Sequence, residues 1–177
     1  MSPPPTANPM EVLLYPHPIL RRGGQPITEF GADLAELADR MIETMYEAGG
    51  VGLAAPQVGV EQKILVLNPS GSKDDRDGEM VLCNPKIVKK KKWEFGDEGC
   101  LSFPGIQAEV ERSLQITVEY QDVQGQEHLL ECDGWLARIV QHEVDHVEGI
   151  LFVDRLTTTE KMRVKPQVLK LESDYSA

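Results

Sequence analysis

This 177-residue chain has no apolar run approaching the ~20 residues that a helix needs to cross a bilayer, so no membrane role is expected. Its first residues, Met-Ser-Pro-Pro-Pro-Thr-Ala-Asn-Pro, lack the basic start and apolar core of a secretion signal. They also lack the arginines of an organellar transit peptide. Cysteine is scarce: Cys83, Cys100 and Cys132 leave an odd one over and form no Cys-x-x-Cys pair. That excludes a disulfide framework and a paired zinc knuckle, and it points to a reducing compartment. The expectation is a cytoplasmic protein. Positive charge is short as well, with 18 Lys and Arg against 29 Asp and Glu and a net charge of -11. That sign argues against general nucleic-acid affinity and direct nucleic-acid readout. The one basic run, Lys89 to Lys92, reads as a solvated strand edge.

What remains is an ordinary globular composition, 41% hydrophobic and 27% charged, long enough to bury a core. Residues 1–9 are Pro-rich and read as a disordered or extended segment. Residues 10–157 read as a single metal-dependent catalytic domain, and 158–177 as a tail. In that tail Pro166 is expected to break or kink a short basic helix, Glu160 to Lys165. Leu34, Leu37, Ala38, Met41, Ile42 and Met45 recur at helical spacing and predict a helix over Asp33 to Ala48. Strands are predicted at 63–67, 80–88, 114–120 and 126–132, with a mobile, dispensable loop over Ser70 to Glu79. The fold class is α+β, with antiparallel β-sheets packed around a central buried helix.

That helix lies in Cys132-Asp-Gly-Trp-Leu-Ala-Arg-Ile-Val-Gln-His-Glu-Val-Asp-His-Val-Glu-Gly149. Asp133 can cap its start and Gly149 can stop it. Leu136, Val140, Val144 and Val147 form the core face. Arg138, Gln141, Asp145 and Glu148 form a polar stripe. His142 and His146, four residues apart, stack on neighbouring turns and can grip one metal ion. Trp135 and Ile139 share their side. A bare His-Glu-x-x-His also arises by chance in unrelated helices, so the motif needs support.

Support comes from Cys100, which sits beside Gly99 in Phe95-Gly-Asp-Glu-Gly-Cys-Leu-Ser-Phe-Pro-Gly105, while Cys83 and Cys132 fall in apolar strand patterns. One thiolate and two imidazoles leave a tetrahedral position open, as in catalytic sites. Glu143 can then accept a proton from water and pass it to a leaving amine, which makes the site an amide hydrolase. A third histidine of the metzincin type is absent, since that position is Phe152. A thermolysin-like third ligand has only Glu160 and later residues to draw on. A Cys100–His142 nucleophilic pair leaves His146 and Glu143 without roles. In Gly49-Gly-Val-Gly-Leu-Ala-Ala-Pro-Gln-Val-Gly59 a phosphate-loop reading lacks its Gly-Lys-Ser/Thr ending, and Gln57 offers a neutral amide donor. A small zinc metallopeptidase and a non-catalytic metal-binding domain stay open as alternatives.

Gly50-Val-Gly-Leu-Ala-Ala-Pro-Gln57, Glu98-Gly-Cys-Leu-Ser102 and Gln141-His-Glu-Val-Asp-His146, in this order, resemble the peptide deformylase family. With Tyr15-Pro-His-Pro-Ile-Leu and Gly149-Ile-Leu-Phe the likeness runs through residues 11 to 156. The resemblance implies removal of the formyl group from the initiator methionine of N-formyl-methionyl nascent peptides. It implies Cys100, His142 and His146 as metal ligands and Glu143 as general base and acid. Gln57 and the Leu101 backbone N–H are then oxyanion donors, and Gly52 a backbone contact to substrate. Ile139 is read as a pocket wall because the helix aims it at the metal side. Glu98, paired with Arg112, is the implied carboxylate behind a ligand imidazole. The implied ion is Fe(II), with Zn, Ni or Co able to substitute. Many members carry an arginine near the substrate backbone where this chain has Ile106-Gln107. Some members dock at the ribosome through a C-terminal helix, a partner that Lys161, Arg163, Lys165 and Lys170 suggest here.

Overall fold

The periodic apolar positions and the glycine-marked turns resolve into four α-helices, five strands and two short 3-10 turns in a computed structural model that describes residues 7–176. Most of the expected N-terminal segment, residues 1–6, lies outside the described residues. Residues 7–14 have no regular structure. They are nonetheless tethered, Met10 N–H donating to Thr44 Oγ1 at 2.7 Å and Leu13 N–H to the Gln57 carbonyl at 2.7 Å.

In chain order come α1 (Ile19–Arg22), α2 (Ala32–Glu47), β1 (Gly52–Ala54), β2 (Ile64–Leu67), β3 (Met80–Cys100), β4 (Phe103–Gln121), β5 (Glu127–Asp133), α3 (Gly134–Val147) and α4 (Thr158–Ser176). The strands form one sheet in the order β1-β2-β3-β4-β5, every neighbour antiparallel. The α+β expectation is met, and the buried helix is α3, whose residues from Ala137 to Val147 are all buried. Ala137, Val140, Val144 and Val147 pack on Leu65, Leu67, Leu82, Ile116 and Val118 of the sheet. On the other helix, Met41, Ile42 and Met45 of α2 meet Leu53, Ile64 and Val66. A third cluster gathers Leu20, Phe103, Val110, Phe152 and Val164, with the Phe103 and Phe152 rings edge to face at 5.2 Å.

Several expectations need correction. Strands β3 and β4 run far beyond the predicted 80–88 and 114–120, forming one ribbon that turns over at Leu101 and Ser102. From Lys86 to Phe95 nearly every residue is exposed, so that half of β3 carries no in-and-out alternation to read. The loop after β2 is held rather than loose. Asn68 Nδ2 donates to the Asp75 carbonyl at 2.7 Å, while Lys73 and Arg76 both reach Glu43 of α2. Asp133 occupies the position before α3 in an extended conformation, but its side chain makes no capping bond. Helix α4 does not stop at Pro166; it continues to Ser176 with the proline inside it. The ring faces solvent, and Val164, Val168 and Leu171 face the third cluster.

Candidate metal centre

Two elements make the site. Cys100 is the last residue of β3, at the tip of the long ribbon, and α3 crosses beneath that tip. Their meeting brings the ligand atoms of Cys100, His142 and His146 within 4.8 Å of one another, the one such group of His, Cys, Asp or Glu among the described residues. Cys100 Sγ lies 3.2 Å from His146 Nε2, and the two imidazole centroids are 5.0 Å apart. Both rings are buried, and His146 Nδ1 has no hydrogen-bond partner.

Charges behind the rings are paired. His142 Nδ1 meets Glu98 Oε1 at 2.8 Å, which turns the opposite ring nitrogen toward the sulfur. Glu98 takes two bonds from Arg112, at 2.9 and 3.0 Å, and one from Arg138 Nη1 at 2.8 Å. Burial would raise the Glu98 carboxyl, but the hydrogen bonds from His142 and Arg112 overrule it and bring it down to about 2. Arg112 continues to Asp145, which Arg155 also holds.

The stripe expected to be polar is therefore a correction. Arg138, Gln141 and Asp145 are buried at 6, 3 and 8% exposure and spend their polarity inside the protein. Gln141 brackets Ser113, accepting its N–H at 3.0 Å and donating to its carbonyl at 2.9 Å. Sequence reasoning placed Arg138 on the polar stripe and gave it no part in the site. A signal was present: a helix with two apolar faces has no solvent side on which a charged stripe can lie.

Glu143 points into the same space. Its Oε2 has no partner, and burial pushes the carboxyl up to about 7. A cation beside it would pull that value back down. Gly52 is what makes room, because a Cβ there would stand 2.7 Å from Glu143 Oε1. Gln57 sits in a short 3-10 turn, Ala55–Val58, after β1. Its Oε1 accepts the Ala54 N–H at 2.9 Å, which aims Nε2 at Ser102 Oγ (3.2 Å) and Cys100 Sγ (3.7 Å). Leu101, in the ribbon's turn, packs its side chain close against Gly50. These groups line a cavity of about 680 Å³, within the usual range for ligand sites. Ile139 and the half-exposed Trp135 form part of its wall, and Ile106 and Gln107 another part. The other thiols stand apart: burial pushes Cys83 up to about 12 and Cys132 up to about 11.

The sequence profile described as polypeptide deformylase matches residues 9–162. The chain belongs to the polypeptide deformylase family. Among curated members, the peptide deformylase of Desulfotalea psychrophila is 40% identical over 161 residues, 91% of this chain and 95% of that protein. The peptide deformylase of Rhizobium meliloti is 43% identical over 151 residues, 85% of this chain and 86% of that one. Among solved structures, the deformylase of Plasmodium falciparum superposes with a TM-score of 0.91 at 40% identity, over 94% of this chain and 97% of its own. Members of this family are metal-dependent hydrolases, and the Cys100, His142 and His146 group is where the chain can hold a metal.

Proposed function

We propose that the chain hydrolyses the N-formyl group from the initiator methionine of nascent polypeptides and releases formate. The observation that carries the reading is the convergence of Cys100, His142 and His146, the first two of which line a cavity that Glu143 and Gln57 also enter. A half-buried sulfur and two buried ring nitrogens, gathered within reach of one another, fit a divalent cation of the zinc and iron row with one position left open. Bound there, such an ion supplies Lewis acidity toward a carbonyl and acidifies water. Fe(II) is the working ion in this reading, with Zn, Ni or Co able to replace it; a thiolate donates charge and tempers zinc in particular. The catalytic unit is residues 10–157, and its compartment is the cytoplasm.

The chain's own residues do the rest. Glu143 takes a proton from the attacking water and hands it to the departing methionine amine, the general acid and base role. Gln57 Nε2 and the Leu101 backbone N–H donate to the oxygen on which negative charge grows; one such donor is worth roughly a hundredfold or more in rate. Gly52 offers backbone to the substrate peptide, its missing side chain leaving space that Glu143 needs. Ile139 walls the slot for an unbranched apolar side chain. Glu98, held by Arg112, keeps the His142 ring from turning.

Formate release from formyl-Met-Ala-Ser tests the reading. Glu143→Ala is expected to keep its metal and lose about 100- to 10,000-fold in kcat. Cleavage of internal peptide bonds instead, or no hydrolysis at all, would overturn it. The tail carries a second arm. Helix α4 presents Lys161, Arg163 and Lys165 on an exposed surface, which supports ribosome contact. Deleting residues 158–177 is then expected to abolish co-sedimentation with ribosomes, and unchanged co-sedimentation removes that contact.

A further inference from the structure

Arg138 is the charged residue of α3 for which neither the sequence nor the reaction supplies a task. It lies one turn before His142 on the same helix, 6% exposed. Its Nη1 donates to Glu98 Oε2 at 2.8 Å and to the Val110 carbonyl at 2.8 Å, with the Gly96 carbonyl at 3.4 Å. Its Nη2 donates to the Glu94 carbonyl at 3.1 Å. One guanidinium thus grips the carboxylate that orients His142 together with the backbone of both strands of the ribbon. That ribbon carries Cys100 at its end, four residues beyond Gly96.

We infer that Arg138 is a positioning residue that sets the separation between the Cys100 sulfur and the histidines. The sulfur rides on β3 and the imidazoles on α3, two elements with few direct contacts between them. Packing alone allows a helix to slide or roll on a sheet by fractions of an ångström, whereas a planar fork with several donors fixes both direction and distance. Arg112 makes a different link. Arg112, paired with Glu94 across the ribbon, ties it to α3 at another point, through the side chains of Glu98 and Asp145, and its guanidinium takes no strand carbonyl. Gly96 shows how close the fit is: a Cβ at that position would stand 2.9 Å from Arg138 Cζ and 2.9 Å from Nη2. Gly96 therefore serves the guanidinium from the strand side.

The inference rests on the metal reading of Cys100, His142 and His146, and its test keeps the two apart. Zinc affinity of the metal-free full chain is measured by competition with a chromophoric chelator, beside the melting temperature of the same metal-free protein. Arg138→Met removes the fork while keeping much of its apolar stem. Gly96→Ala displaces the fork without changing any charge. Each is expected to weaken zinc binding roughly 10- to 100-fold, the usual cost of losing a group behind a ligand. The double variant is expected to bind no more weakly than Arg138→Met alone, because both act through one group. Arg138→Lys, which keeps the charge opposite Glu98 but not the planar fork, is expected to regain part of the affinity. Unchanged zinc affinity in folded Arg138→Met, or losses that add in the double variant, would overturn the inference. Should Arg138→Met not fold, Gly96→Ala and Arg138→Lys decide, and wild-type affinity in both overturns it. If the unaltered chain itself takes up no zinc, the metal reading fails instead.

Discussion

Of the three thiols, one faces the histidines and two are locked in the sheet. Burial holds Cys83 and Cys132 protonated, with values of about 12 and about 11. A thiol reacts as its thiolate, so the fraction available at pH 8 is about a thousandth or less for both. Metal-free protein at pH 8 is therefore expected to take one iodoacetamide, at Cys100, and zinc-loaded protein none, as counted by intact mass. Raising the pH toward 11 brings in Cys132 before Cys83, whose thiol burial pushes higher. Alkylation of Cys132 before Cys100 would contradict the site. At this scale the sequence was legible wherever chemistry demanded a residue type. Cys100, His142, His146 and Glu143 stand together as their motifs require, and Glu98 meets Arg112. Arg138 was read as solvated although a helix apolar on two sides leaves no solvent face for it; only its partners, the strand carbonyls, had no trace in the sequence.

Among the elements, α2 was readable because one side of it is buried, and α3, buried all round, because its valines toward the sheet keep a period of about 3.6. The outer half of β3 left no such trace, being exposed on both faces. The 70–79 loop was misread for another reason: its order comes from Asn68 and from Glu43, the latter some 30 positions away, and no local pattern encodes that. Helix α4 outlasts Pro166 because the missing N–H falls on the solvent side, where water can serve the freed Met162 carbonyl, and because Val168 and Leu171 keep burying apolar surface beyond it. A proline in a helix interior costs about 3 kcal/mol, so Pro166→Ala is expected to raise the melting temperature by several degrees, read by calorimetry. A fall would overturn this reading and show that the proline suits the backbone it occupies.

For the molecule as a whole, the metal is expected to act as a clamp between ribbon and helix. A ligand that binds only the folded chain stabilises it by about 4 kcal/mol at a thousandfold excess over its dissociation constant. For a chain of this size that corresponds to roughly 8 to 16 °C. Removing metal with a chelator should lower the melting temperature by about that much, and adding zinc should restore it. A melting temperature indifferent to metal would show that Cys100, His142 and His146 do not hold one.

The ribbon behind Cys100 also behaves as a ruler. Successive side chains of a strand point to opposite faces, so the loss or gain of a single residue between Lys89 and Gly99 would send the sulfur to the wrong side of the sheet. Length changes in this stretch can be absorbed only as matched pairs across β3 and β4, or at an existing irregularity such as the one between Ile87 and Lys89. A designer wishing to lengthen the arm must therefore add residues two at a time on both strands, and the outermost turn must travel with them intact.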